Sequence, residues 1–340
     1  MELYLDSANL TEIKEAFSLG GLSGLTTTPT FMHREGVKNL EQTILELSTI
    51  VPILQIEALG SDAKAIVGEA ERLVDLGLDK SKTVFKIPVS IEGVKACYQM
   101  VKSGLMVNIH LVYTLQQAYM AMASGATYVC PLVGRLQDQG HDALNLVADC
   151  VEVVERYDYK SKIMFSSVRN VEHIKNALQV GAHACTVPWG IMQKLTNNHF
   201  TDIGTREFFE HTNLLTIKVK DVVARAPKVL LTSSLNDGLV QMTKSKLGAV
   251  AIVDENNFVK GIFTDGDLRR TIESKGVSSL TDKFSSFNWQ KPVGVSPENT
   301  LDDALKIFKQ QKIDTLIVEQ AGKYLGMLDV QELLSVISQS

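Results

Sequence analysis

The stretch Val84-Phe85-Lys86-Ile87-Pro88-Val89 sets one lysine inside an apolar run of strand type that stops at a proline. An ammonium stripped of its water costs roughly several kcal/mol unless it is paired or gives up its proton. A neutral amine attacks carbonyl carbon, so the chemistry open to Lys86 is Schiff-base formation. Taken alone, the stretch also fits a lysine at a strand end whose stem packs while its head reaches water. Other residues suited to acid–base or anion-binding work are Asp6, Thr26 to Thr28, Glu57, Asn108, His110, Arg135, Ser167 and Arg169.

What relates these residues is where they fall in a repeating pattern. Short apolar runs read as strands at Leu3–Asp6, 24–29, Pro52–Glu57, Thr83–Ile87, Leu105–Val112, Thr127–Leu132, Lys162–Ser167 and Ala184–Pro188. Each is followed by a segment of helical period: 11–19, 40–50, 63–76, 91–103, 115–125, 143–157, 171–181 and from about 190. Eight β-α units predict a parallel sheet covered by helices, and a closed (β/α)8 TIM barrel ahead of an open doubly wound sheet. No glycine-rich phosphate turn follows the first strand. The polar candidates all lie at the C-terminal ends of the strands, which in a barrel converge on one mouth.

The bulk properties suit a globular protein of two or three domains. The chain has 340 residues, 45% hydrophobic and 21% charged, with a net charge of -5. No basic face is expected, so nucleic acid is excluded as a partner. The N-terminus lacks a secretory signal pattern and no apolar run is long enough to span a bilayer, so a cytoplasmic location is expected, without membrane association. Cys97, Cys130, Cys150 and Cys185 are widely spaced and read as small core residues rather than disulfide or zinc ligands. Neither a cofactor nor a metal is expected.

Several ordered elements resemble the transaldolase family, in particular its short branch that includes fructose-6-phosphate aldolase. They are the opening Met1-Glu-Leu-Tyr-Leu-Asp6, Gly24-Leu-Thr-Thr-Thr28-Pro, and Val84-Phe-Lys86-Ile-Pro-Val. Asn108-Ile-His110-Leu-Val-Tyr113, Gly125…Pro131-Leu-Val-Gly-Arg135, Ser166-Ser-Val-Arg-Asn170 and Gly181…Pro188 follow in the family's order, over roughly residues 1–212. The resemblance implies that Lys86 forms the Schiff base with a ketose phosphate, its pKa lowered by desolvation. Asp6 would move the substrate hydroxyl proton, and Glu57 would hold a water that relays protons to the carbinolamine. Ser167 and Arg169 would hold the substrate phosphate, with Arg135 as a second candidate; Thr28 and Asn108 fall among the substrate-binding positions. Three positions depart from the family pattern. Thr28 replaces an asparagine, His110 a threonine, and Leu132 the aromatic before Val-Gly-Arg. His110 is expected to take over the vacated acid–base work, because imidazole titrates near neutrality.

After residue 213 the pattern changes to a repeat. Leu247–Asp254 and Val259–Asp267 make one copy; Ile313–Glu319 and Tyr324–Leu334 make the other. Helical segments 235–246 and 301–311 precede them. This resembles a pair of CBS repeats, about 217–276 and 281–338. The resemblance implies an adenine or cytidine nucleotide held by Thr264 and Asp267 of Gly261-Ile-Phe-Thr-Asp-Gly-Asp267. In the second copy Asp329 stands where that threonine would be and would repel a phosphate. The chain therefore reads as an α/β protein: a barrel over 1–213, then a small α/β CBS-pair domain over 214–340. The expected activity is that of a Schiff-base aldolase or transaldolase cleaving or transferring a dihydroxyacetone unit of a ketose phosphate, regulated through the repeats. The alternative is a catalytically altered barrel that binds sugar phosphates or nucleotides. Both resemblances imply a homo-oligomer.

Overall fold

The computed structural model describes residues 1–338. The chain divides after Asn197 into two compact units. In the first, strands β1 (Glu2–Asp6), β2 (Gly24–Thr26), β3 (Leu54–Glu57), β4 (Thr83–Pro88), β5 (Met106–Val112), β6 (Tyr128–Pro131), β7 (Lys162–Phe165) and β8 (Ala184–Val187) form a closed barrel. Every pairing is parallel, and β8 closes on β1. The helices expected between the strands are present within a few residues of their predicted bounds. The expected (β/α)8 barrel is thus the observed one.

Strand alternation decides what faces inward. Side chains two residues apart share a face, so Tyr4 and Asp6, Gln55 and Glu57, Val84 and Lys86, and Asn108 and His110 form rising pairs. Register aligns Glu57 with Lys86 and Lys86 with Asn108 in one row across β3, β4 and β5. Below that row, Tyr4, Val84, Tyr128, Cys130, Met164 and Ala184 fill the barrel. The Tyr4 and Tyr128 hydroxyls lie 2.8 Å apart, and Tyr128 donates to Glu2 at 2.8 Å. The outward faces of the strands and the inner faces of the helices make a separate apolar layer that includes Leu5, Phe85, Ile87, Ile109 and Phe165. All four cysteines are free and buried.

The second unit holds two like modules. Strands β9 (Lys228–Leu230), β10 (Ala249–Val253) and β11 (Val259–Thr264) form one sheet; β12 (Gly294–Val295), β13 (Thr315–Gln320) and β14 (Lys323–Asp329) form the other. In both, the first strand pairs parallel with the second and the second antiparallel with the third. Ala249, Ala251 and Val253 of one copy pack with Ile317, Tyr324 and Met327 of the other. Arg225 clasps Glu332 at 2.8 Å. No helix among the described residues is long and apolar enough to cross a membrane.

One assignment differs from expectation. The barrel, with its last helix, is expected to run to residue 213. The helix His199–Thr216 instead groups with the second unit. It touches the helices Leu301–Gln311 and Val330–Ser338, and its Leu214 joins the apolar cluster of Val219, Leu301, Ala304 and Phe308.

Candidate active site

The C-terminal ends of the barrel strands open into a cavity of about 780 Å³. Its walls include every barrel residue singled out from the sequence except Thr27: Asp6, Thr26, Thr28, Glu57, Lys86, Asn108, His110, Arg135, Ser167 and Arg169. Residues from seven strands or their exit loops therefore meet in one place.

Lys86 lies at the centre and is only 6% exposed. Its Nζ donates to the Thr27 carbonyl at 3.0 Å and lies 3.2 Å from Glu57 Oε1. His110 Nε2 stands 2.9 Å from the other carboxylate oxygen, Glu57 Oε2. That contact falls short of hydrogen-bond geometry, so both atoms are buried without a hydrogen-bond partner. Glu57 thus touches the amine with one oxygen and the imidazole with the other. Burial pushes the Glu57 carboxyl up, but His110 and the Lys86 charge outweigh it and hold it below the ordinary value. A carboxylate kept ionised here can balance positive charge on either neighbour.

Asp6 lines the same cavity and feels both charges. Burial raises its carboxyl above the ordinary value, against the opposing pull of Lys86 and of Thr26. Thr26 Oγ1 donates to Asp6 Oδ1 at 2.8 Å and shares a short contact with the Thr186 hydroxyl. Asn108 donates to Gln55 Oε1 at 2.7 Å, which leaves Asn108 Oδ1 buried and unpartnered. Buried polar atoms are seldom left so, and an oxygen in the cavity wall can accept from a bound hydroxyl. Thr28 caps the short helix Pro29–Arg34, its hydroxyl accepting from Phe31 N at 3.3 Å. Its own O–H remains to donate.

Two strained residues flank the mouth. Leu111 and Ser167 adopt left-handed φ of 58° and 59°. Neither is glycine, and such backbone strain persists where surrounding structure imposes it. Leu111 sits where the β5–β6 register shifts, directly after His110; bulges of this kind re-aim neighbouring side chains. Ser167 begins the loop that carries Arg169. Both candidate arginines are exposed: Arg135 donates to the Tyr113 hydroxyl at 2.9 Å, and Arg169 pairs with Asp138 at 3.1 Å. Tyr113, Asp138, Thr186 and the Thr27 carbonyl escaped the sequence reading. Only Thr186 carried a signal, as a polar residue on the last strand.

In the second unit Thr264 and Asp267 form a capping box at the start of the helix Asp265–Lys275. Thr264 Oγ1 donates to Asp267 Oδ2 at 2.7 Å, and Arg270 donates to Asp267 Oδ1 at 2.7 Å. Ser234 with Asp237 and Thr300 with Asp303 make the same box elsewhere.

A family model described as transaldolase/fructose-6-phosphate aldolase matches residues 3–239. The chain belongs to that family. Relatives in the family include a probable transaldolase from Desulforudis audaxviator, 37% identical over 212 residues, 62% of this chain and 96% of that one. Another, from Syntrophobacter fumaroxidans, is 38% identical over 214 residues, again 62% of this chain and 96% of the relative. A model described as CBS domain matches residues 219–274 and 285–339, so the family protein carries a C-terminal CBS pair. Among solved structures, a CBS-domain containing protein from Agrobacterium tumefaciens matches 35% of this chain and 92% of its own, at 24% identity and a TM-score of 0.31. Both resemblances read from the sequence are borne out.

Proposed function

We propose that the barrel is a Schiff-base aldolase or transaldolase acting on a ketose phosphate, with Lys86 as nucleophile. The observation that carries this is the buried Lys86 amine flanked by Glu57, with His110 on the far oxygen of the same carboxylate. Lys86 first gives a proton through the Glu57 carboxylate to His110; the neutral amine then adds to the ketone carbon, and a second amine proton moves to the ketone oxygen to give a carbinolamine. His110, held by ionised Glu57, delivers the proton with which that hydroxyl leaves as water. In the resulting iminium, the bond between the third and fourth carbons breaks as Asp6 takes the proton of the C4 hydroxyl. The bonding pair moves into the iminium, leaving an enamine on Lys86 and a free aldehyde. Addition to a second aldehyde and hydrolysis of the new iminium complete transfer; protonation of the enamine and hydrolysis complete cleavage. Thr28 and Asn108 Oδ1 contact substrate hydroxyls, and Ser167, Arg169 and Arg135 take the phosphate. The test is borohydride reduction in the presence of fructose 6-phosphate and related ketose phosphates. A stable adduct mapped to Lys86 by mass spectrometry is the expected result; none with any ketose phosphate overturns the proposal.

Asp6 carries a second expectation. A carboxyl whose folded pKa is raised contributes stability that is present below its unfolded value and lost as pH rises through the folded one. At neutral pH the Asp6 carboxyl therefore costs stability. Asp6→Asn keeps an acceptor for Thr26 and removes the charge. It is expected to raise the melting temperature of the barrel by about 2–4 °C, what one kcal/mol is worth in a unit of this size. Turnover is expected to fall by about 10²–10⁴-fold. A lower melting temperature in calorimetry would refute the stability argument.

For the CBS pair the proposed ligand is an adenine or cytidine nucleotide at Thr264 and Asp267. Because Asp267 also closes the capping box at the start of a helix, Asp267→Ala costs about 1 kcal/mol whether or not a nucleotide binds. The informative quantity is the rise in melting temperature on adding AMP or CMP. It is expected to vanish in Asp267→Ala and to survive in Asp303→Ala, which removes the equivalent cap. A shift that survives in both rules out Asp267 as a ligand residue.

A further inference from the structure

The loop Ser166–Asn170 holds two of the three groups proposed for the phosphate, yet its backbone departs from the strand and carries the strained Ser167. Its N-terminal side is fixed to the neighbouring strand end. Ser166 Oγ donates to the Pro131 carbonyl at 2.7 Å, and Val133 N donates to the Ser166 carbonyl at 3.2 Å. Its C-terminal side is fixed by two hydrogen bonds that involve His173. The Arg169 backbone N–H donates to His173 Nδ1 at 3.2 Å, while His173 N donates to Asn170 Oδ1 at 3.0 Å. The His173 ring is buried, 5.9 Å centroid to centroid from Phe165 in an edge-on arrangement, so the strand end beneath the loop holds the ring in turn.

We infer that His173 is a positioning residue for anion binding: its unprotonated Nδ1 holds the Arg169 backbone where Ser167 and Arg169 converge on a substrate phosphate. This rests on the reading of that loop as the phosphate site. The acceptor exists only while the ring is neutral with its proton on Nε2. Two charged groups face the ring: Arg169 from the loop itself and Asp138 beyond the short helix Val133–Gln137, which act in opposite senses. Burial first, then Arg169, hold the His173 pKa below its ordinary value, with Asp138 opposing. The contact therefore persists through neutrality and is lost as the pH falls through that lowered value. Protonation turns Nδ1 into a donor facing a donor, and the loop loses its anchor.

The full-length protein with fructose 6-phosphate and inorganic sulfate provides the test, using dissociation constants from calorimetry. Sulfate keeps its charge between pH 7.5 and 5, so any change in its affinity belongs to the protein. His173→Leu fills the space without an acceptor and is expected to weaken both ligands by about tenfold, the loss of one good hydrogen bond. His173→Asn places Oδ1 where Nδ1 stood and cannot titrate; it is expected to bind within about threefold of wild type at pH 7.5. Wild type should lose sulfate affinity as the pH falls and His173→Asn should lose less, a comparison that needs no folded leucine variant. Equal pH profiles in wild type and His173→Asn, or undiminished affinity in a folded His173→Leu, overturn the inference. Ser167→Ala and Arg169→Ala separate the two levels. If neither weakens sulfate, the phosphate loop itself is misassigned and the inference falls with it. If they do and His173→Leu does not, only the role of His173 is wrong.

Discussion

Lys86→Met is expected to abolish the borohydride adduct and lower turnover by about 10⁴-fold or more, the scale on which losing a covalent nucleophile acts. Its effect on folding must be separated from its effect on chemistry. Lys86 and Glu57 side chains are 7% and 6% exposed, and removing one partner of a buried ion pair costs about 3–5 kcal/mol. Glu57 would then face the Thr27 carbonyl region with His110 as the only neighbour able to balance its charge. The single variant is therefore expected to melt well below wild type. Lys86→Met combined with Glu57→Gln removes both charges and is expected to recover most of that stability while remaining inactive. Glu57→Gln alone should keep the adduct but form it slowly, because the amine survives and the group holding His110 loses its charge. Calorimetry and single-turnover trapping on the three variants distinguish these outcomes. Turnover in a folded Lys86→Met would remove the Schiff base from the mechanism.

Much of this centre was legible because strand alternation is strict. Once β3, β4 and β5 are read as strands, the period of two sends Glu57, Lys86, Asn108 and His110 to one face, and parallel register stacks them. The apolar residues between them, such as Ile56, Phe85, Ile87 and Ile109, are forced outward against the helices. What the alternation does not carry is the far end of each polar side chain. Nothing in the spacing says that Arg135 meets Tyr113, that Arg169 meets Asp138, or that His173 accepts from the Arg169 backbone. The first two contacts join segments distant in sequence that only the closed barrel brings together; the third is local and depends on the turn out of β7.

Two readings rest on sequence signals that serve more than one purpose. The segment 199–216 has a helical pattern but no buried residue, and periodicity reports that a helix has an apolar face without naming what covers it. The resemblance to CBS repeats implies ligand roles for Thr264 and Asp267 through an element that contains a Thr-x-x-Asp spacing. That spacing is equally the capping box that starts a helix, because three residues on is where a side chain can reach back to the cap's backbone N–H. One sequence signal serves both purposes, and only the response to a nucleotide separates them. The helix Pro29–Arg34 illustrates the converse. Threonine at the cap and proline at the first position are a proper helix start, yet six residues were too few to show a period.

Gly134→Ala is the substitution from which the largest effect away from the reacting groups is expected. A Cβ at residue 134 would lie 1.9 Å from the Ser167 carbonyl oxygen and 2.9 Å from Arg169 Cγ. The first of these is backbone, so no side-chain rotation relieves it. Either the helix Val133–Gln137 moves outward, taking Arg135 with it, or the loop beyond Ser166 moves. Both routes separate the three groups proposed for the phosphate. Ser167 already holds a φ of 59° and has little room to absorb the shift. Overpacking of this kind costs about 1–3 kcal/mol, and a displacement of about 1 Å in a positioning element can cost about 10²-fold in rate. The expected result is a folded protein with a lowered melting temperature and KM for fructose 6-phosphate raised by about 10²-fold. The borohydride adduct at Lys86 should still form with dihydroxyacetone, which carries no phosphate. That contrast places the damage in anion binding rather than in the nucleophile. If phosphorylated and unphosphorylated ligands suffer alike, the close approach of Gly134 to Ser167 serves the barrel as a whole, and the loop is not a dedicated phosphate site.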